Sequence, residues 1–262
     1  GYRFFIPAGT SYVDYIRRYL VKKQGFVYVE TSKKKAGNES LDYFDINGNS
    51  RKKIIGRIMN RLYDKSHLCT KHKLAYHLRK HQGDVIPPTA IVRRGVWTQV
   101  PRGFLNNSES EEGRRSVFFL KDSHRDNGHG IFVGIGLAKT IPQIESSRTY
   151  VLQRHLENML LWNGMCKFDL RMFSIAVFRP FCRPQFYLYP HGYCRVNPTP
   201  WQMSAKKDLQ VTNISFFKRK NLTYSLVPTQ DWPEFNLVEP GIRHAITTAY
   251  RETQDFMHPM HE

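Results

Sequence analysis

The chain has 262 residues, of which 40% are hydrophobic, which is enough for a core in one large domain or in two to three packed lobes. Lys and Arg exceed Asp and Glu by 40 − 22 = 18, so we expect an acidic partner: a nucleic acid, an acidic protein tail or a nucleoside triphosphate. No apolar stretch approaches the roughly 20 residues of a membrane-spanning helix, and the four scattered cysteines lack the spacing of a disulfide scaffold, so we expect a soluble, cytoplasmic protein with reduced thiols.

The first 60 residues predict a small α/β unit. Strands are predicted at residues 2–6 and 25–30, with a helix at residues 12–21 between them. The polar segment 31–50 predicts a solvated loop, and the apolar spacing of residues 52–62 predicts another helix.

A basic helix is predicted next, at residues 67–81, and Gly83 to Pro88 mark its end. The sequence therefore predicts a domain boundary near residue 85. The polar stretch 102–115 predicts a loop.

The rest of the chain predicts a mixed sheet and a final helix. A hairpin is predicted from strands at residues 117–121 and 131–134, followed by a strand at residues 149–155. Residues 168–178 predict a longer strand with residues 185–189 as its antiparallel neighbour, and residues 245–256 predict an amphipathic helix.

The predicted hairpin contains a lysine followed by a glycine-containing loop. Lys121 leaves the first strand just before Gly128-His129-Gly130. A lysine in this position can place its ammonium group against triphosphate oxygens while loop amides surround them. Neither the Walker loop nor the Rossmann turn is present, and an ordinary hairpin tip is the alternative interpretation.

Three charged side chains alternate along a second predicted strand. Lys167, Asp169 and Arg171 fall on one face of it, because successive side chains of a strand point to opposite sides. Such charges are costly to bury without partners. The sequence therefore favours either a nucleotide site or an internal salt bridge between Asp169 and its basic neighbours.

Four segments resemble, in order, successive signatures of the tubulin tyrosine ligase-like family: VFFLKDSHRDNGHGI, VLQRHLENMLLWNGMCKFDLRMFSIAV, LYPHGYCRVNPTPW and LQVTNISFFK. Residues 64–78 also resemble the stretch before the family's ATP-binding domain, so the resemblance covers most of residues 60–220. It implies an α+β, ATP-grasp architecture with mixed or antiparallel sheets. The implied parts are a small N-terminal α/β lobe (1–85), a central lobe (86–155) and an incomplete, apparently truncated C-terminal lobe (156–262).

The resemblance also implies roles for individual residues. Lys167 and Arg171 would act in catalysis, and Arg171 and Arg195 would bind the acidic tail of the acceptor. The implied ATP-binding residues are Lys121, Gly128, Gly130, Gln153, Arg154, His155, Leu156, Lys167, Asp169, Thr212 and Asn213.

The activity implied by the resemblance is ATP-dependent ligation of a free amino acid, tyrosine or glutamate, to a carboxylate of tubulin or another acidic tail through an acyl phosphate. The implied location is the microtubule cytoskeleton.

The family's magnesium-binding aspartate and Glu-x-Asn strand have no match here. Glu234-Phe235-Asn236 has the Glu-x-Asn spacing, but it directly follows Pro233, a residue that interrupts sheet pairing. We therefore predict a surface loop at this position and no metal ligand. The alternatives are a noncatalytic, basic microtubule-binding module and, least favoured, a nucleic-acid binder, since no zinc spacing or RNP-like motif accompanies the charge.

Overall fold

The computed structural model describes residues 64–105, 111–126, 128–179 and 182–257, together with four short strands nearer the N-terminus. The chain divides into two compact units, residues 1–65 and 66–262. The boundaries expected near residues 85 and 155 stay predictions.

The described strands of the first unit form a parallel sheet in the order β2-β1-β3-β4. Its members are β1 (Arg3–Phe5), β2 (Val27–Tyr28), β3 (Tyr43–Phe44) and β4 (Ile58–Met59). Both β1 and β2 lie within predicted strands. The loop predicted at residues 31–50 is wrong at β3, and the helix predicted at residues 52–62 is wrong at β4. A short apolar run can form a strand as readily as a helix. The helix predicted at residues 12–21 lies outside the described residues.

The second unit begins with two helices, α1 (Ser66–Cys69) and α2 (Lys71–His77), and a 3₁₀ turn over Leu78–His81. The helix predicted at residues 67–81 is confirmed, but Thr70 interrupts it with extended backbone angles of φ −88° and ψ 121°. The buried face of α2 packs through Ala75 against a sheet.

That sheet has five described strands in the order β6-β5-β9-β7-β8, and all the pairs are antiparallel. It confirms the predicted hairpin and the strand after it. Its members are β5 (Thr89–Arg93), β6 (Val96–Gln99), β7 (Val117–Asp122), β8 (Ile131–Ile135) and β9 (Thr149–Arg154).

The two faces of the five-stranded sheet are covered differently. Phe118, Leu120 and Leu152 lie in an apolar cluster on one face, whereas Ile91 and Val151 meet α2 on the other. Two short helices adjoin the sheet: α3 (Glu111–Arg115), within the predicted loop, and α4 (Leu137–Thr140). The loop prediction is thus wrong at α3.

Two smaller antiparallel sheets follow, with strand orders β10-β13-β14 and β11-β12. The single strand predicted at residues 168–178 is wrong, because β10 and β11 belong to different sheets; the pairing of β11 with β12 is confirmed. The strands are β10 (Cys166–Arg171), β11 (Ser174–Val177), β12 (Gln185–Leu188), β13 (Tyr193–Pro200) and β14 (Ser225–Pro228).

The remaining helices complete the second unit. They are α5 (Lys207–Gln210), α6 (Ile214–Arg219) and α7 (Phe235–Met257), with a 3₁₀ turn at Thr229–Asp231 before α7. The helix predicted at residues 245–256 is confirmed and is longer than expected. The described part of the chain contains no helix that combines the length and apolarity needed to span a membrane.

The fold class is confirmed as α+β with antiparallel sheets in the second unit, and this is compatible with an ATP-grasp arrangement. The apolar core under the β10-β13-β14 sheet is built from Cys194, Val196, Trp232 and Phe235, with Phe168 and Leu170 packed against it. Because Phe168 and Leu170 pack against this core, the charged side chains of β10 lie on the opposite face of the strand.

Candidate functional site

Lys121 lies on the face of β7 opposite the main apolar cluster. Phe118 and Leu120 point into that cluster, so alternation places Phe119 and Lys121 on the other side. The Lys121 Nζ donates a hydrogen bond to the Gln153 Oε1 on the adjacent strand β9. The Gln153 Nε2 in turn donates to the Thr89 Oγ1 at 2.8 Å. The Thr89 hydroxyl therefore fixes the orientation of the Gln153 amide that contacts Lys121.

Lys167 reaches the same place from β10. Because Phe168 and Leu170 pack into the core, Lys167 and Asp169 lie on the opposite face of the strand, as predicted. The Lys167 Nζ lies 4.8 Å from the centroid of the Phe119 ring, and the Lys121 Nζ lies 5.5 Å from the same centroid. Both ammonium groups therefore make cation–π contacts with the Phe119 ring.

Neither lysine is balanced by an ion pair within the part of the chain that the structure describes. Burial, with the charges of Lys167 and Lys71, lowers the pKa of Lys121 to about 8. Burial also lowers the pKa of Lys167 to about 8, although the negative charge of Asp169 opposes the shift. Among the described residues, the hydrogen-bond acceptor of the Lys167 Nζ is the amide oxygen of Gln210, at 3.3 Å. A polyanion would compensate both ammonium groups.

The negative charge of Asp169, unlike the positive charges of the two lysines, is compensated by described partners. Its Oδ1 accepts a hydrogen bond of 2.6 Å from the Arg195 Nε, and its Oδ2 accepts one from the Thr212 hydroxyl. Asp169 and Arg195 stand directly opposite each other in the β10–β13 pairing. An internal salt bridge of Asp169 therefore forms, but with Arg195 on the neighbouring strand and not with Lys167 or Arg171, the basic neighbours along β10 that the sequence suggested.

The segment after β9 holds a buried histidine with an unsatisfied ring nitrogen. The His155 ring is 7% exposed and stacks on Trp201 at 5.3 Å between centroids, with 18° between the planes. The Nε2 has no hydrogen-bond partner among the described residues. Burial, with the charge of Lys167, lowers the pKa of His155 to about 4 against the opposing charge of Glu157, so the ring is neutral at pH 7.

The glycine loop between β7 and β8 lies against the segment that contains Thr212 and Asn213. Gly128 has φ +76°, and a Cβ there would stand 3.3 Å from the Phe216 Cβ and 3.5 Å from the Asn213 Cβ. Gly130 has φ +64°, and its Cβ would stand 2.8 Å from the Asp122 Cβ. Glycine at both positions thus permits the left-handed turn and the close approach.

Three predicted site residues stand apart from this group. Leu156 is 49% exposed, and the Arg154 guanidinium donates to the Glu157 carboxylate at 2.8 Å. Arg171 is exposed at the end of β10, and no ion pair or hydrogen bond of its side chain occurs among the described residues. The structure therefore gathers the predicted residues around Lys121, Lys167 and Asp169, with Leu156, Arg154 and Arg171 at the periphery.

Sequence reasoning missed four residues that shape the site: Thr89, Phe119, Trp201 and Gln210. The Gln210 Oε1 accepts hydrogen bonds from Lys167 and, at 3.2 Å, from the Trp201 Nε1. Alternation along β7 was a signal for Phe119, which falls two residues before Lys121. Gln210 lies more than forty residues beyond Lys167, and the sequence carries no signal for that contact.

The described residues fit the two groups that the resemblance implies, ATP and magnesium, to different degrees. Two partly buried ammonium groups with lowered pKa values, next to a glycine loop, match the donors that a triphosphate requires. Among these residues no three or more His, Cys, Asp or Glu side chains cluster as metal ligands. Glu234 and Asn236 are exposed where α7 begins, in helical and turn conformation and not in a strand. The described residues therefore fit a nucleotide, whereas they contain no ligand cluster that would hold magnesium without it.

The comparisons with known proteins agree with the resemblance. The model of the tubulin-tyrosine ligase family matches residues 49–239. A probable beta-tubulin polyglutamylase of Tetrahymena thermophila is 28% identical over 108 residues, which cover 41% of this chain and 8% of that protein. The aligned part is thus a small fraction of this relative. Since the family model matches well over half of the chain, the protein belongs to the tubulin-tyrosine ligase family.

Proposed function

We propose that this chain is part of an ATP-dependent ligase that joins a free amino acid to a carboxylate of tubulin, within the ATP-grasp architecture of its family. The observation that carries the proposal is the pair Lys121 and Lys167, whose ammonium groups share the Phe119 ring without a carboxylate partner among the described residues. Membership of the tubulin-tyrosine ligase family supports a role of this lysine pair in binding ATP.

The roles of the chain's residues follow from their contacts. Lys121 and Lys167 bind the phosphates, and Gln153 and Gln210 hold the two lysines in position. The loop of Gly128 covers the bound phosphates with backbone amides. ATP, when bound, would transfer its terminal phosphoryl group to the acceptor carboxylate with release of ADP; the amine of the incoming amino acid would then attack the acyl carbon, forming the amide and releasing phosphate.

The nucleoside end of the site is proposed at the end of β9. We place the adenine against Gln153 and His155 there, with Arg154 and Leu156 at the periphery; the buried His155 Nε2 has no partner among the described residues, and a small shift of the ring would let it meet the base. Asp169, Thr212 and Asn213 are proposed beside the ribose; Asp169 contributes mainly by fixing the positions of its two partners.

Two arginines are proposed for the acceptor. Arg171 is exposed, so it can pair with a glutamate side chain of an acidic tail without breaking an existing contact among the described residues. Arg195 uses its Nε toward Asp169, and its side chain is 21% exposed. The name of the Tetrahymena relative favours glutamate over tyrosine as the amino acid added.

No step of the proposed reaction is placed on a metal ion, because the described residues contain no cluster of three or more metal-ligating side chains. Magnesium would enter with the nucleotide and need ligands outside the described set. The proposed place of action is the cytoplasmic microtubule cytoskeleton, where tubulin tails are found.

Incorporation of radiolabelled glutamate into tubulin, with labelled tyrosine in a parallel reaction, tests the proposal. We expect ATP-dependent incorporation that Lys167→Met abolishes, because that change removes a phosphate-binding cation. Bound ATP without incorporation of either amino acid would contradict the ligase and leave a nucleotide-binding member.

A second candidate is a noncatalytic module that binds tubulin through its positive charge. The observations that favour it are the net charge of +18 and the lack of a metal-ligand cluster among described residues. Co-sedimentation with microtubules that raised salt abolishes, combined with no measurable ATP binding, would establish this alternative and exclude the ligase.

A further inference from the structure

A second basic site lies at the end of the five-stranded sheet away from His155. It is a concave pocket of about 540 Å³, and none of its lining residues belongs to the set proposed above for the nucleotide or the acceptor. The pocket is formed by the N-terminal part of α2, the end of β7 and the turn between β5 and β6. Its lining residues are His72, Lys73, Arg93, Arg94, Asp122, His124, Arg125, Ser147, Arg148 and Thr149.

The lining has many cations and one carboxylate. That carboxylate, Asp122, is already engaged: it accepts hydrogen bonds from the Arg148 Nη1 at 2.8 Å and from the His124 amide at 2.9 Å. The Arg125 Nε lies 3.6 Å from its Oδ2. No ion pair of Arg93 or Arg94 occurs among the described residues, and both side chains are exposed. The pocket therefore keeps an uncompensated positive charge.

His72 is a partly buried histidine in the pocket wall, and its pKa is lowered mainly by burial and less by the surrounding cations. Burial, followed by the charges of His124, Arg93 and Lys73, lowers the pKa of His72 to about 4. Its ring Nδ1 lies 2.6 Å from the Ser123 Oγ, and its backbone amide donates to the same oxygen at 2.9 Å. A neutral, anchored histidine leaves the nearby arginines and Lys73 as the cations that face a ligand.

The backbone holds the two uncompensated arginines in fixed positions. Arg94 has φ +53° and Gly95 φ +78°, which form the tight turn between β5 and β6. The Arg94 amide donates to the Arg148 carbonyl at 2.9 Å, and Arg93 pairs with Thr149 in the sheet. A ligand thus meets cations whose backbone positions are already set, which lowers the entropy lost on binding.

We propose that this pocket binds an acidic peptide segment, with side-chain carboxylates paired to Arg93 and Arg94. Arginine binds carboxylates through two parallel hydrogen bonds, and an extended chain can present several of them to one pocket. None of the ten lining residues is Phe, Tyr or Trp, and the ring of His72 is engaged with Ser123, so the surface has few of the stacking platforms that single-stranded nucleic acids use.

The identity of the peptide's source rests on the proposed function. Asp122 directly follows Lys121, and Arg125 precedes the loop of Gly128, so the pocket adjoins the lysine site along the chain. An acidic tail bound at Arg93 and Arg94 would then be held near the phosphates by a contact that Arg171 and Arg195 do not supply. The pocket would raise the local concentration of the acceptor.

Fluorescence anisotropy with a fluorescein-labelled oligoglutamate peptide tests the pocket. The variant is Arg93→Gln/Arg94→Asn, in which asparagine suits the left-handed backbone of position 94. The matched control is Arg79→Gln/Lys80→Gln, which also removes two exposed adjacent charges but lies outside the pocket. Circular dichroism and ATP binding of each variant confirm that the fold and the lysine site are intact.

We expect the pocket variant to weaken peptide binding by about fivefold or more, and the control to change it by less than about twofold. Equal weakening by both variants would overturn the proposal, because the attraction would then come from overall charge. Equally tight binding of a single-stranded oligonucleotide, lost in the same pocket variant, would also overturn it in favour of a nucleic acid. Peptide binding by the pocket variant as tight as by the parent protein, with ATP binding intact in both, would refute the pocket alone and leave the proposed ligase standing.

Discussion

The lysine pair and Asp169 lie on neighbouring parts of one site but differ in how their charges are compensated. Lys121 and Lys167 have amide oxygens and an aromatic ring as partners, and both have a pKa of about 8. Asp169 has an arginine and a threonine hydroxyl as partners. Partly buried, uncompensated cations lower the stability of the free protein, whereas the paired carboxylate contributes to it. On this difference we propose the two lysines as the phosphate-binding group and Asp169 mainly as the residue that positions Arg195 and Thr212.

Replacing the two lysines should have the largest effect. We expect Lys121→Met/Lys167→Met to weaken ATP binding by about 100-fold or more, since two charged hydrogen bonds to phosphate are lost. The unfolding free energy should stay the same or rise, because desolvated cations are removed. Calorimetric titration and urea denaturation measure the two quantities. Lys139→Met, on the exposed face of α4, is the control and should change neither.

Removing the carboxylate should have the opposite effect on stability. Asp169→Asn leaves the Arg195 guanidinium without its counter-charge, and we expect the unfolding free energy to fall by about 1–2 kcal/mol, since the pair is partly exposed. Chemical denaturation measures it, with the exposed Asp255→Asn as a control expected within about 0.5 kcal/mol of the parent protein. An unchanged or higher stability would show that Asp169, like the lysines, is held for a ligand.

The lysine pKa values predict a specific pH dependence. The folded lysines lose their protons near pH 8, but an unfolded lysine does so near 10.5, so the unfolded chain binds more protons between these values. The contribution of this pair to stability therefore rises as pH increases from 8 to 10.5. ATP affinity should fall over the same range, by about 30-fold from pH 8 to 9, because the protonated fraction of each of the two lysines drops about fivefold. A pH-independent affinity would contradict the assignment, and the double methionine variant should lose both slopes.

Replacement of His155, the histidine after β9, should change stability and nucleotide affinity the least. His155→Phe keeps an aromatic ring against Trp201 and removes a buried nitrogen without a described partner. We expect the unfolding free energy to stay the same or rise by up to about 1 kcal/mol, and nucleotide affinity to fall by about twofold to fivefold. Thermal denaturation and calorimetry are the measurements. Unchanged affinity would remove His155 from the nucleotide site.

The sequence predicted the local features of the second unit well. The hairpin around Gly128 and the strand that carries Gln153 are short segments in which apolar alternation ends at turn residues, and both were confirmed. The alternation of Lys167 and Asp169 against Phe168 and Leu170 also placed the charged face of β10 correctly. Period-2 patterns are reliable when one face of a strand is buried.

Contacts set by tertiary pairing were not predictable in the same way. The salt bridge from Asp169 to Arg195 depends on the register of β13 against β10, which spacing along the chain does not encode. The break after Arg171 was missed because residues 168–178 continue the apolar pattern while the chain moves to another sheet. Ile58 and Met59 were assigned to a helix because a short apolar run fits both periods.

Calorimetric titration of ATP at pH 8, repeated in two buffers of different ionisation enthalpy, tests the role of the lysine pair most directly. Bound phosphates raise the pKa of both lysines, so we expect binding accompanied by uptake of about one proton, and loss of that uptake in Lys121→Met/Lys167→Met. Binding without proton uptake, or binding that the double variant retains in full, would contradict the assignment of Lys121 and Lys167 as the phosphate-binding residues.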